Sequence, residues 1–150
     1  MAKAIVEYLI YVDSNFRRAL DIASEATVLC NYEDWWWKAR IGKCHFKMGM
    51  IKEAEKQFIS SLKNQSMIST QIELAKVAIR QDQPLRAVEL YSNGLKLHMY
   101  DPSLSVGIAR IYDMLNDPRK AFILFKQVLT FDNNSIESIA SIASYHFYTD

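Results

Sequence analysis

The sequence predicts an all-α chain of antiparallel helix pairs stacked in series. Three observations carry that prediction. Only 4 glycines and 3 prolines are spread over 150 residues, too few for the tight turns of a β protein. Apolar residues recur at intervals of three and four, the period of a helix with one buried face. Finally, one block returns at a fixed interval: "EAEKQFISSL" (53–62), "RAVELYSNGL" (86–95) and "KAFILFKQVL" (120–129). Each holds an alanine, an aromatic four residues on and a leucine four further on: Ala54/Phe58/Leu62, Ala87/Tyr91/Leu95 and Ala121/Phe125/Leu129. The alanines set a nearly constant period along the chain.

Taken in order, "AKAIVEYLIYVD" and "NFRRALDIASEATVLC" predict a first helical hairpin within residues 1–34. Ala19, Ala23 and Ala26 echo the small residues of the later blocks there, but the aromatic and leucine are missing, so this pair is divergent. Helices then follow at about 36–48 and 51–64, 69–81 and 84–97, and 103–115 and 118–131, with a lone helix from about 136. The repeat boundaries fall at 35–67, 68–101 and 102–135, and 136–150 is the first helix of a fourth unit. Upstream of each block lies an apolar–small pair, Ile41-Gly42, Leu74-Ala75 and Ile108-Ala109, with Ile142-Ala143 at the next interval. Small residues on the first helix of a pair let the second cross closely, and the aromatic plugs the gap that widens beyond them. An alanine of this seam changed to leucine should overpack it, at about 1–3 kcal/mol. Proline at "DQPLRA" and "NDPRKA" fits the first turn of a helix, with Asp82 and Asn116 as capping candidates.

Composition excludes several functions. Lysine and arginine total 18 against 17 acids, without the basic excess of a nucleic-acid-binding domain. No apolar run reaches the roughly 20 residues that span a bilayer, and no signal peptide is expected at the start. Cys30 and Cys44 stand in no metal spacing, and a reducing compartment is the simplest reading. His45, His98 and His146 are too far apart in the repeat to share a metal, and no cofactor is expected. No serine–histidine–acid set, phosphate loop or paired-carboxylate cleft is recognisable, so catalysis is not expected.

The spacing resembles the tetratricopeptide repeat, W-x2-L-G-x2-Y…A-x3-F…P, with its period of about 34 residues. The match is strong in the second helix and looser in the first. His45, Ala78, Tyr112 and His146 take the tyrosine slot, Lys38 takes the tryptophan slot, and Ser66, Met99 and Asn133 take the terminal proline slot. The resemblance implies a right-handed superhelical solenoid whose packing residues are Gly42, Ala54, Phe58, Leu62, Ala75, Ala87, Tyr91, Leu95, Ala109, Tyr112, Ala121, Phe125 and Leu129. "DWWWKARIGKCHFKMGMIKEAEKQF", "LAKVAIRQDQPLRAVELYSNGL" and "IASIASYHFYTD" are similar, more narrowly, to the tetratricopeptide-repeat subunits of the BBSome. Such a resemblance implies a non-enzymatic scaffold in a coat that carries membrane proteins to and from cilia. Its partners would be other BBSome subunits, including a small extended one, with membrane-protein cargo held indirectly. Its place would be cytoplasm, cilium and basal body. The chain then reads as a fragment of a longer array, and its last helix, with Ile139, Ile142 and Phe147, should drive self-association at high concentration. Two other readings stay open: a free adaptor gripping an acidic, hydrophobic peptide, and a regulatory array leading an enzyme.

In this repeat the concave groove is lined by fixed positions of each first helix. Carried onto this chain they give Trp36, Lys43, Phe46 and Lys47; Ile72, Lys76, Ile79 and Arg80; Arg110 and Met114; and Phe147. Lys43, Lys76 and Arg110 form a ladder of cations, suited to an acidic partner or simply to a solvated face. Charge reversal at Lys76 and Arg110 should weaken partner binding and leave melting nearly unchanged. Of the three tryptophans, Trp37 is expected in the interface with the first hairpin, Trp36 towards the groove and Trp35 half-exposed at the helix start. His45 and His146 are expected as packed rings.

Overall fold

The computed structural model describes residues 1–149. Among them are nine helices and no strand: α1 (Ala2–Tyr11), α2 (Phe16–Leu29), α3 (Trp35–Lys47), α4 (Ile51–Asn64), α5 (Ile68–Arg80), α6 (Pro84–Leu97), α7 (Pro102–Met114), α8 (Pro118–Phe131) and α9 (Ile136–Thr149). The chain divides into two compact units, the first Met1–Gln81 and the second from Asp82 onward.

Within the first unit each helix packs on the next, α1 on α2, α2 on α3, α3 on α4 and α4 on α5. The core of its first half is Val6, Leu9, Ile10, Ala19, Ala23, Trp37, Ile41 and Cys44. Where the divergent hairpin lacks the aromatic, Thr27 is buried instead, its hydroxyl donating to the Ala23 carbonyl at 2.7 Å. The α3–α4 crossing is close because Gly42 has no side chain. A Cβ built there would lie 2.8 Å from the ring of Phe58, itself 1% exposed.

The second unit repeats the device. α6 packs on α7, α7 on α8 and α8 on α9, and Val106, Ala109, Ala121, Phe125 and Val128 form a core with Tyr112, Leu124 and Ile142 against it. Here Gly107 receives the Tyr91 ring, which would lie 2.6 Å from a Cβ at that position.

Three details differ from the sequence expectation. Asp82 and Asn116 cap nothing: both have φ of +58°, the left-handed turn that ends the preceding helix. The cap must stand immediately before proline. At α8 it is Asp117, whose side chain accepts from the Lys120 N–H, and at α6 it is Gln83, which makes no side-chain cap bond. Secondly, Leu62, Leu95 and Leu129 are only half-buried, while Ser61, Gly94 and Val128 before them are buried. Seven residues beyond the alanine brings a side chain back to within about 20° of it, whereas eight leaves it about 80° away. Thirdly, Ala143 and His146 are exposed on α9. His146 is no enclosed ring; it meets Phe122 edge-on at 5.3 Å.

Candidate protein-binding faces

The tryptophan run divides as a helix requires. Trp37 is buried in the core under α1 and α2. Trp35 is half-buried at the start of α3, and its carbonyl accepts the Ser61 hydroxyl at 2.9 Å. Trp36 is half-buried too. The edge-on ring of Trp37 lies 4.8 Å away, and the charged ends of Lys3 and Arg40 lie over its own ring at 5.2 and 4.7 Å. Its face is therefore shared with two cations of its own chain. Asp34 caps the helix, and its carboxyl is held below the usual range by Lys3 and the Trp36 N–H, which outweigh the opposing effect of burial.

On the first unit only Lys43 of the predicted cations is drawn inward. A chain of polar contacts ties α1, α3 and α5 together. Arg40 donates to Glu7 at 2.7 Å, Lys43 donates to the Tyr11 hydroxyl at 2.7 Å, and Lys43 and Lys76 both approach Glu73, at 3.6 and 3.1 Å. Lys43 is well enclosed, with 16% of its side chain exposed. Lys47 and Arg80 have no acid partner among the described residues. Both are exposed, and the Arg80 guanidinium sits 5.4 Å from the centre of the half-buried Phe46 ring. Ile72 and Ile79 are half-buried on α5. The open part of this face is thus Phe46, Lys47, Ile72, Ile79 and Arg80, apolar in the middle with two uncompensated cations.

On the second unit Arg110 of α7 is clamped through two nitrogens by Glu137 of α9. That bond, more than charge alone, pulls the Glu137 carboxyl below its ordinary range and raises Arg110. Met114, Phe147 and Tyr148 are strongly exposed, at 64, 80 and 83%. The ladder of cations is therefore present as a row of residues; Arg110 has its own counter-charge in Glu137, whereas Lys43 and Lys76 share the single carboxylate of Glu73.

Among the described residues no group of three His, Cys, Asp or Glu could hold a metal, and no helix is long and apolar enough to cross a membrane. Cys44 is fully buried, and burial pushes its thiol up to about 11.

Sequence reasoning missed Lys38. It is 7% exposed, and its ammonium donates to Asn64 Oδ1 at 3.0 Å. The signal was available: a lysine in the slot where the repeat calls for tryptophan must either leave the core or find a partner inside it.

No family model matches the chain. Individual proteins do. Tetratricopeptide repeat protein 8 of Mus musculus is 47% identical over 150 residues, all of this chain and 29% of that protein. The Homo sapiens protein of that name is 47% identical over 134 residues, 89% of this chain and 25% of that protein. The BBSome complex member BBS4 of Bos taurus is 23% identical over 128 residues, 85% of this chain and 24% of that protein. The chain thus spans less than a third of the relatives it matches. Among solved structures, the thermophilic tetratricopeptide-repeat protein TTC0263 of Thermus thermophilus superposes with a TM-score of 0.74 at 14% identity, covering 99% of this chain and 82% of that one. YrrB, described as a tetratricopeptide-repeat protein with an unusual peptide-binding site, gives 0.67 at 18% identity, with 95 and 73% covered. The chain has the tetratricopeptide-repeat fold and is homologous to a segment of tetratricopeptide repeat protein 8.

Proposed function

We infer, from a chain with that fold and that homology, a non-enzymatic scaffold subunit of a BBSome-type coat that moves membrane proteins to and from cilia. The observation that carries this reading is 47% identity along the whole chain to one segment of tetratricopeptide repeat protein 8. The likeness to a protein named as a BBSome member adds to it. The architecture suits the role. Each pair of helices leaves a face that its neighbour covers, so the array gains length and contact surface without needing an enclosed active site. Neighbouring subunits of the coat would be held on faces such as Phe46–Lys47–Ile72–Ile79–Arg80. There an extended acidic and apolar segment finds uncompensated cations beside apolar side chains. Cytoplasm, cilium and basal body are the places where such a subunit works.

The reading is tested by reversing charge where no internal ion pair is lost. Lys47→Glu with Arg80→Glu, in the full-length protein, should weaken recovery of coat subunits from ciliated cells and leave the melting temperature of the chain within about 2 °C. Unchanged recovery overturns the use of this face. Recovery of no coat subunit by the parent protein overturns the BBSome assignment itself.

A further inference from the structure

A second polar feature lies away from that face. A cleft of about 520 Å3 opens in the first unit over α3, between α2 and α4. Its floor is Lys38, Ile41 and His45, one stripe of α3; Ser24, Thr27 and Val28 form one wall and Lys56, Gln57 and Ser60 the other. Two lysines and a histidine line it, and no carboxylate does.

Two of these groups are incompletely partnered. Lys38 carries its charge at 7% exposure with only a neutral amide beside it, and no ion pair to Lys38 exists among the described residues. An ammonium has three donors, and the Asn64 oxygen takes one of them, so two remain for a group that enters the cleft. The amide is itself fixed: Asn64 Nδ2 donates to the carbonyls of Tyr32 and Glu33 at 3.0 and 2.6 Å, so Lys38 is held in place rather than free to swing out. At the other end of the stripe, His45 Nδ1 is buried with no hydrogen-bond partner. Burial holds this imidazole below its usual range, against the opposing pull of Glu53 on α4.

We propose that this cleft binds a short extended segment of a partner protein, with an acidic side chain of that segment meeting Lys38 while Lys56 adds positive charge from the α4 wall. The dimensions agree. Lys38 and His45 are seven residues apart, about 10 Å along the helix, the length of about three extended residues. Between the polar ends lie Val28 and Ile41, which suit the methylenes of a glutamate side chain better than a bare anion. This site would be used beside, and independently of, the Phe46–Arg80 face, and it does not depend on the BBSome assignment.

The test is an NMR titration of the chain with acetyl-Gly-Glu-Gly-amide, and in parallel with the Gln peptide and with acetyl-Gly-Gly-Gly bearing a free C-terminal carboxylate. Saturating shifts are expected at Ser24, Lys38, His45 and Gln57 with the Glu peptide. The Gln peptide should bind about tenfold more weakly or worse, as expected for loss of a charge-assisted hydrogen bond. Lys38→Met should remove the shifts. Should that variant lose its dispersed spectrum, Lys56→Met serves instead and should weaken the Glu peptide several-fold. Equal response to the Glu and Gln peptides, shifts confined to other helices, or no effect of either lysine variant would overturn the proposal. An equal response to the C-terminal carboxylate would overturn the assignment to a side chain.

Discussion

The contact between Gly42 and Phe58 makes a prediction whose sign can be reversed. In an ordinary helix Gly→Ala stabilises by about 1 kcal/mol. Here the new methyl would sit 2.8, 2.9 and 3.1 Å from three carbons of the Phe58 ring. Carbon atoms rest at roughly 3.5–4.0 Å, so the ring must retreat by about 0.7 Å. Phe58 is 1% exposed, so the ring is enclosed by protein, and overpacking of that kind costs about 1–3 kcal/mol. The expected net effect of Gly42→Ala is a loss of about 0–2 kcal/mol. Replacing the ring removes the obstacle and keeps the helix propensity. In a Phe58→Leu background, itself less stable, adding Gly42→Ala should therefore stabilise by up to about 1 kcal/mol. The assay is urea unfolding followed by circular dichroism at 222 nm, comparing midpoints at constant slope. A stabilising Gly42→Ala in the parent chain, or the same sign in both backgrounds, would refute the claim that this seam is closed by a ring against a missing Cβ.

Further expectations concern the second unit and the cysteines. Phe125→Ala, emptying a 3%-exposed site, should cost about 3–5 kcal/mol in the same unfolding assay, whereas Ile123→Ala on the exposed side of α8 should cost under about 0.5 kcal/mol. The Arg110–Glu137 pair is half in water, so Glu137→Gln should change stability by less than about 1 kcal/mol at pH 7. Because the folded Glu137 carboxyl is depressed, its contribution is present above the ordinary glutamate range and is lost as pH falls through the folded value. The parent chain should accordingly lose its small advantage over Glu137→Gln in acid unfolding curves, and a gap that widens on acidification would contradict the pairing. Cys30 is exposed and Cys44 fully buried with its thiol pushed up to about 11; at pH 8 iodoacetamide should label Cys30 alone in the folded chain and both in denaturant.

What could be read in the sequence was whatever repeats. Ala54, Ala87 and Ala121 recur at a nearly constant interval and all three are buried, in close-packed surroundings that tolerate little added volume. All nine helices among the described residues start and stop within a few residues of their sequence expectation, since proline, glycine and apolar spacing punctuate them. Leucine is the conspicuous letter at the eighth residue after each alanine, but the seventh, held by serine, glycine and valine, is the buried place. Side chains that reach across helices were not legible. Nothing in the composition reveals that Glu73 receives Lys43 from α3 as well as its own neighbour Lys76, or that Glu137 of α9 clamps Arg110 of α7. Those partners meet only once the helices have packed. Position in a repeat names the face; packing decides which charges remain for a partner.

The most direct measurement is the composition of what the full-length protein assembles with in ciliated cells. Purified through a tag at its native level and quantified by mass spectrometry, it should bring down BBSome subunits in near-equal molar amounts. Recovery of the protein alone, or with a stoichiometric set containing no BBSome subunit, would contradict the account.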